Sequence, residues 1–390
     1  KYDKNIHLVG DLAELFTASP DCRKVTFKIR KGVKWQDGPE FTSADVLFTY
    51  QKAIDPKVAT PYSGDFERVE KIEAPDPYTL HVTYKEPFAP GLASWGMGII
   101  PKHLLSKADL NTTEFNRKPI GTGPYRIKEW VTGQKIALTA NETYFEGKPR
   151  VAEYVYRIIP DNATMFLELK AGGLDYMGLS PLQNQRQTDT SYFKQFFNKY
   201  RYPAFAYTYM GYNLLDPRFK DKRVRQAIAY ATNRQSVIKG VLFGIGRPAT
   251  QPVPPESWAY NPDVPKYDYN PEKAKQLLAE AGWKDTNNDG ILDKDGQPFS
   301  FTLMTNQGNE ERAKTAEIIQ QDLKQVGIQV EIRVLEWQAF LHQFIDKKKF
   351  EAIILGWSLG RDPDSYDIWH SSKTKEGEFN FVSYSNPEVD

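Results

Sequence analysis

FSFTLMTNQGNEERAKTAEIIQQDLKQVGIQVEIRVLEWQAFLHQFIDKKKFEAIILGWSLGRDPD, residues 299–364, reads strand, helix, strand, helix, strand. Phe299, Phe301 and Leu303 alternate, the period of a half-buried strand. Ala316, Ile319, Leu323 and Val326 recur three and four residues apart, one face of a helix, and Gly327 stops it. Ile328, Val330, Ile332 and Val334 alternate again, and Trp337, Phe340, Leu341 and Phe344 return to helical spacing. Ala352 to Leu355 is an unbroken apolar run, as a parallel strand covered on both faces requires. Open parallel sheets bind ligands just beyond the carboxyl ends of their strands. That rule selects two loops, Thr305–Gly308 and Gly356–Asp364, and predicts that they share one edge of one sheet.

Outward from this segment the pattern changes. Residues 1–205 read as α+β: Val25–Arg30 alternates as a strand, Thr42 or Ser43 caps a helix over Ala44–Ala53, and Tyr78, Leu80, Val82 and Tyr84 alternate. Ile136 and Leu138 and the run Val151–Ile159 are also strand-like. Helices are predicted over Arg223–Ala231, after the N-cap Asn233, and over Pro271–Ala281, with Pro at its start and Gly282 past its end. The change of domain is placed near Tyr207–Asn213.

At 390 residues the chain exceeds one ordinary core. Hydrophobic residues are 40% and charged residues 26%, the balance of a soluble globular protein. Basic and acidic residues number 51 and 50, and a net charge of +1 argues against a nucleic-acid or anionic-membrane partner. No apolar run reaches the ~18 residues of a membrane helix or contains a signal-peptide core. The aromatic share of 13% suits large cores and also a site that stacks peptides or sugars. Cys22 is alone, so there is no disulfide framework and no thiolate metal site. The chain begins at Lys1 without Met and stops on a helix-start pattern at Asp390, so both ends read as cut.

Chemistry-bearing motifs are few. Asp285, Asn287, Asp289 and Asp293, with Gly290 at the sixth position, match the front of a calcium loop. Gly296 stands where the bidentate Glu belongs, so a polar hairpin turn is the preferred reading, a structural calcium the alternative. On either reading the loop lies away from the strand ends and is not needed for ligand binding. Gly121-Thr122-Gly123-Pro124-Tyr125 precedes a strand, not a helix, which makes it a tight turn and not a phosphate cradle. No Ser elbow or reactive Cys setting exists, and none of the five His pairs at metal-ligand spacing. Asp362 and Asp364 could act as a glycosidase carboxylate pair, but loop-capping aspartates around Pro363 is the better reading.

Several stretches together resemble the family 5 extracellular solute-binding proteins, the peptide- and nickel-type receptors of ABC importers. They are VTFKIRKGVKWQDGPEFTSADVLF (25–48), Pro119–Tyr125, Asn141–Tyr144, Ile159–Asp161, Arg223–Ile228, Asn270–Ala274, and Gly356-Trp357 with Asp362-Pro363-Asp364. The resemblance implies an α/β, two-lobed periplasmic-binding-protein-like fold of type II. Lobe I would be residues 1–208, with an extra α+β subdomain over about 1–120, and lobe II residues 209–390, incomplete at its C-terminus. It also places a leading strand and a trailing return segment of lobe I outside this chain. It implies a monomeric, non-enzymatic, extracytoplasmic receptor, in the periplasm or held at the cell surface by a lipid anchor not present in this chain. Such a receptor closes its lobes on a ligand and delivers it to permease subunits, with no cofactor and no nucleic acid.

Departures from the family narrow the ligand. Dipeptide receptors carry an Arg near Asn306 that clamps the peptide carboxylate, and an Asp close behind the Gly-Trp pair. Here Thr305–Asn309 has no cation and Ser358-Leu359-Gly360 intervenes before Asp362. Nickel-type receptors place an Arg where Ala140 stands. The oligopeptide branch is what the chain is most similar to, with an oligosaccharide or other small solute as the alternative ligand and glycoside hydrolysis by Asp362 and Asp364 as a distant third. The candidate ligand-binding residues are Trp357, Ser358, Leu359, Gly360, Asp362 and Asp364 from one loop and Asn306 and Gln307 from the other, with Tyr209 and Asn213 at the change of lobe. Trp357 is expected to form an aromatic wall, with pure core packing as its competitor.

Overall fold

The computed structural model describes residues 1–390 apart from 5, 6, 61, 62 and 203. The chain forms two compact units, Lys1–Ile159 and Pro160–Asp390. The units part well upstream of the change expected at 208/209. That point falls inside a strand, Ala206–Tyr212, which is hydrogen-bonded along its length into the second unit's sheet.

The first unit is built on two antiparallel sheets. Strands β1 (Ala13–Ala18), β2 (Lys24–Ile29), β3 (Val69–Asp76) and β4 (Thr79–Tyr84) lie in the order β1-β2-β4-β3. Val25, Phe27 and Ile29 of β2 bury beside Leu80, Val82 and Tyr84 of β4, as their alternation requires. The helix Ser43–Ala53 closes this core with Val46 and Tyr50. Asp45, in its first turn, is buried and carries three hydrogen bonds. Its carboxylate accepts from the Thr42 N–H (3.0 Å), the Lys102 N–H (3.0 Å) and the Trp35 indole N–H (3.4 Å). One side chain thus caps the helix and ties two loops to it. The second sheet holds β5 (Tyr125–Val131), β6 (Lys135–Ala140) and β7 (Glu153–Arg157) in that order. The Gly121–Tyr125 stretch is the turn that enters it, held by the Gln36 amide on the carbonyls of Gly123 (3.3 Å) and Tyr125 (2.9 Å).

The second unit contains the segment that opened the sequence reading. β8 (Ala206–Tyr212), β11 (Ser300–Asn306), β12 (Gln329–Leu335) and β13 (Ala352–Ser358) form one sheet in the order β12-β11-β13-β8. A small hairpin of β9 (Asp293–Lys294) and β10 (Gln297–Pro298) stands apart from it. β11, β12 and β13 are parallel, in the register Leu303↔Ile332 and Leu303↔Ala352. β8 runs antiparallel to β13, from Ala352↔Tyr212 to Ser358↔Ala206.

One face of this sheet, with Phe301, Leu303, Val330, Ala352 and Ile354, packs on the helices Lys222–Ala231, Pro271–Glu280 and Glu310–Lys324. The other, with Met304, Ile353 and Leu355, packs on Phe340, Ile345, Phe350 and Phe381. Helical cover on both faces explains why Ala352–Leu355 is apolar without alternation. The second of the two predicted crossover helices is short. Trp337–Ala339 is α-helical and Phe340–Ile345 continues as a π-helical stretch. Gly327 ends the Glu310–Lys324 helix at φ +80°, and a Cβ there would lie 2.7 Å from Leu292 Cγ.

Asp45→Ala should lower the unfolding free energy of the first unit by about 2–4 kcal/mol, because it removes a helix cap and orphans buried N–H donors. Denaturant titration of wild type and variant, with matched m-values, measures this; a change under ~1 kcal/mol would show the carboxylate to be dispensable.

Candidate functional site

Parallel pairing of β11 with β13 brings their carboxyl ends to one edge, so Asn306, the last residue of β11, and Trp357, near the end of β13, lie on the same side of the sheet. Both are strand residues and not loop residues as expected. β13 is longer than its apolar run because β8 supplies partners beyond the contact with β11: Trp357 pairs with Tyr207 and Ser358 with Ala206. The antiparallel direction of β8 delivers its first residues to this edge. Tyr207 and Tyr209 therefore join Asn306 and Trp357 there, with ring centroids 5.7 Å apart.

The edge is aromatic. Trp357 is half-buried and packs edge-on to Phe379 (5.5 Å) and nearly parallel to Phe381 (5.8 Å, 24°). Its side chain hydrogen-bonds the Tyr209 hydroxyl, and burial pushes the Tyr209 phenol above its usual range. Burial also pushes the Tyr207 phenol up to about 12. The Tyr207 hydroxyl is buried and has no hydrogen-bond partner among the described residues. A buried hydroxyl without a partner costs stability.

A residue absent from the sequence-based set completes the edge. Arg312 lies in the first turn of the Glu310–Lys324 helix, which Asn309 caps by accepting from the Arg312 N–H (2.9 Å). Its guanidinium Nη1 donates to Asn306 Oδ1 at 2.8 Å. Nη2 reaches over Gly356, where a Cβ would stand 3.1 Å from it and 3.1 Å from the Tyr207 carbonyl. Burial depresses the Arg312 pKa, while Tyr209 and Glu311 act in the opposite sense. Glu311 is itself half-buried, and burial raises its carboxyl pKa. No carboxylate among the described residues comes within ion-pair distance of Arg312. One signal was available in the sequence: a cation in a first helical turn faces the positive end of the helix dipole and needs a reason to be there.

The remaining candidates divide. Gln307 is exposed beside Asn306, and its backbone N–H bonds Leu335 O (2.6 Å). Leu359 extends the β8–β13 pairing by donating to Phe205 O (2.7 Å), and exposed Ser358 and Gly360 flank it. Asp362 accepts from the Asp364 N–H and Asp364 from the Tyr366 N–H, each at 2.9 Å, so both carboxylates cap their own loop.

Asn213 is at the other edge. It follows the last residue of β8, and an antiparallel strand ends where the parallel strands begin. Its amide donates to the carbonyls of Lys348 (3.1 Å) and Phe350 (2.9 Å) and accepts from the Leu215 N–H (3.1 Å), which makes it a buried strut away from Asn306 and Trp357.

The Asp285–Asp293 loop turns its oxygens on itself. Asp285 accepts from the Gly290 N–H (3.0 Å), Asn287 from the Asp289 N–H (3.1 Å), Asp289 from the Ile291 N–H (2.8 Å) and Asp293 from Thr286 Oγ1 (2.7 Å). No group of three or more His, Cys, Asp or Glu among the described residues is arranged to hold a metal ion.

The profile of the bacterial extracellular solute-binding proteins, family 5 (middle region), matches residues 7–379. The chain belongs to this family. It is 42% identical to the oligopeptide-binding protein AppA of Bacillus subtilis over 401 residues, covering all of this chain and 73% of that protein. It is 30% identical to haem-binding protein A of Haemophilus influenzae, covering 97% and 71%. The structure of Bacillus subtilis AppA in complex with a nonapeptide superposes with a TM-score of 0.89 at 40% identity, over 100% of this chain and 78% of AppA. Campylobacter jejuni NikZ in complex with Ni(L-His) gives 0.93 at 30% identity, over 100% and 78%. The family is one of bacterial extracellular solute-binding proteins. No helix among the described residues is long and apolar enough to cross a membrane.

Asn213→Ala should destabilise the second unit by about 2–4 kcal/mol, since it orphans two buried carbonyls and one N–H. Ligand affinity of the folded variant should stay within roughly twofold of wild type by calorimetry. A larger affinity loss at unchanged melting temperature would return Asn213 to the site.

Proposed function

We propose that this chain is the extracytoplasmic receptor of an ABC importer, that it binds oligopeptides, and that it hands them to the membrane permease. The observation that carries this reading is the 42% identity across the whole chain to an oligopeptide-binding protein whose nonapeptide complex has the same fold. The chemistry of the carboxyl edge agrees with it. A receptor indifferent to peptide sequence must bind main chain, and the side-chain amides of Asn306 and Gln307 offer both donors and acceptors for it. Tyr207, Tyr209 and Trp357 supply rigid aromatic surface at low conformational cost. On this reading Trp357 has one ring face on Phe381 and lends the remainder to the ligand. On this reading the chain is a receptor and not an enzyme, and Asp362 and Asp364 serve their own loop, accepting from the Asp364 and Tyr366 N–H groups.

A small-solute ligand is the second reading, favoured by the TM-score of 0.93 to a receptor holding a nickel–histidine complex. Native mass spectrometry of the protein as purified separates the two. A heterogeneous mass excess of peptide size is expected; a single discrete small mass would overturn the peptide reading.

Trp357→Ala should weaken peptide binding by about 1–3 kcal/mol, the range of an interface anchor. Unchanged affinity with a lowered melting temperature would assign the ring to the core alone. The Asp285–Asp293 loop is placed outside the binding function, with calcium confined to a stabilising role if it binds there. Chelation with EDTA should therefore leave peptide affinity unchanged, and any effect should appear in the melting temperature, because an ion held by the folded state stabilises it by mass action. Loss of peptide binding in EDTA without a change in melting temperature would contradict this.

A further inference from the structure

We propose that the outer edge of β12 is a self-association surface, on which a second copy of this chain pairs its own β12 antiparallel about Ile332. Such a contact is independent of the ligand proposed above, and it departs from the monomer that the family resemblance implies.

β12 is the outermost strand of its sheet, so one side of its backbone lacks a neighbouring strand. Two hydrogen bonds show which groups lie on that side. The Gln329 N–H donates to the Phe299 carbonyl (2.9 Å), and the Leu335 carbonyl accepts from the Gln307 N–H (2.6 Å). In a parallel ladder a residue turns both its N–H and its C=O to one neighbour, and successive residues alternate sides. Gln329, Glu331, Arg333 and Leu335 therefore bond β11, and Val330, Ile332 and Val334 direct their backbone groups outward. The Gln320 side-chain amide takes the Val330 carbonyl (2.8 Å). Ile332 and Val334 have no such partner among the described residues, and the Val334 side chain is 48% exposed. A row of open backbone groups beside apolar surface is a template for another strand.

Charges on an edge strand ordinarily discourage pairing. Here their signs and spacing match a second copy of the same edge. Glu331 and Arg333 flank Ile332, share one face of the sheet and are both exposed. Neither has an ion-pair partner among the described residues, and Arg333 rests over the Phe344 ring at 4.8 Å. Antiparallel pairing about Ile332 sets Glu331 opposite the partner's Arg333, and Arg333 opposite the partner's Glu331. Both are non-hydrogen-bonded pairs, in which side chains stand closest. The same register joins the open groups of Ile332 to those of the partner's Ile332, and it lays exposed Val334 opposite the partner's Val330. Centring the pairing one residue away opposes Glu331 to the partner's Glu331, or Arg333 to the partner's Arg333. The charges thus select the register. The contact is isologous and two-fold, and it joins two four-stranded sheets into one. Its area is that of a single strand pair, so the association is weak and concentration-dependent.

Sedimentation equilibrium of the full chain, over a concentration series reaching the millimolar range, reads the association. Wild type should pass from the mass of one chain to that of two. Glu331→Arg and Arg333→Glu each oppose like charges in both pairs and should raise the dimer dissociation constant by roughly tenfold or more. The double variant restores opposite signs and should dimerise as wild type does. An equimolar mixture of the two single variants should dimerise more tightly than either alone. Val334→Pro, which deletes an outward N–H and leaves the β11 ladder whole, should also weaken the dimer. Circular dichroism checks folding; should a charge variant fail to fold, Val334→Pro carries the test. The proposal is overturned if wild type stays monomeric throughout, or if the folded double variant dimerises no better than the singles. It is also overturned if the dimer survives the single reversals and Val334→Pro unchanged, which would assign the contact to another edge, such as exposed β7.

Discussion

The antiparallel attachment of β8 to an otherwise parallel sheet is the constraint on which the second unit depends. Its ladder runs the full length of β13, whereas β13 meets β11 over a shorter stretch. The extra pairs carry Trp357 and Ser358 into the strand and hold Tyr207 opposite Trp357. The direction of β8 decides the rest. Its amino end meets the carboxyl ends of the parallel strands, so Tyr207 and Tyr209 reach the candidate edge. Its carboxyl end leaves from the opposite edge, where Asn213 holds the turn before β13. A parallel β8 would reverse both outcomes.

Around that frame the edge combines groups that are individually costly. Among the described residues the half-buried Arg312 guanidinium has no carboxylate within ion-pair distance and the buried Tyr207 phenol has no partner, and each such feature costs stability where it stands. Gly356 is part of the same arrangement, since a Cβ there would crowd the Arg312 guanidinium and the Tyr207 carbonyl, each 3.1 Å away. Concentrating such features at the strand ends while the sheet faces are densely apolar is how a rigid scaffold presents a binding surface.

The fold itself does not choose the ligand. A receptor crystallised with a nonapeptide and one crystallised with a nickel–histidine complex superpose on this chain equally completely. Discrimination is therefore a matter of side chains and not of the fold, and on the proposed reading the strand ends contribute Asn306 and Gln307 to it.

The sequence alone determined the repeating elements of the second unit. The alternation of Phe301 and Leu303, the helical spacing of Ala316, Ile319 and Leu323, and the apolar run Ala352–Leu355 are local patterns imposed by burial, and they specify β11, the following helix and β13. The strand-end rule then located Asn306 and Trp357 on one edge before any pairing was known. Only the tertiary structure decided what stands beside them. The partner of β13 comes from some 140 residues upstream, a pairing that local periodicity does not encode. Arg312 reads on its helix as a solvated charge, and its bond to Asn306 exists because a strand end and a helix start meet across Gln307–Asn309. Asn213 reads as a polar residue at a domain change, and its role as a strut follows from strand direction. Side-chain periodicity reports which face of an element is buried; pairing and direction, set by contacts distant in sequence, decide which buried faces and strand ends meet.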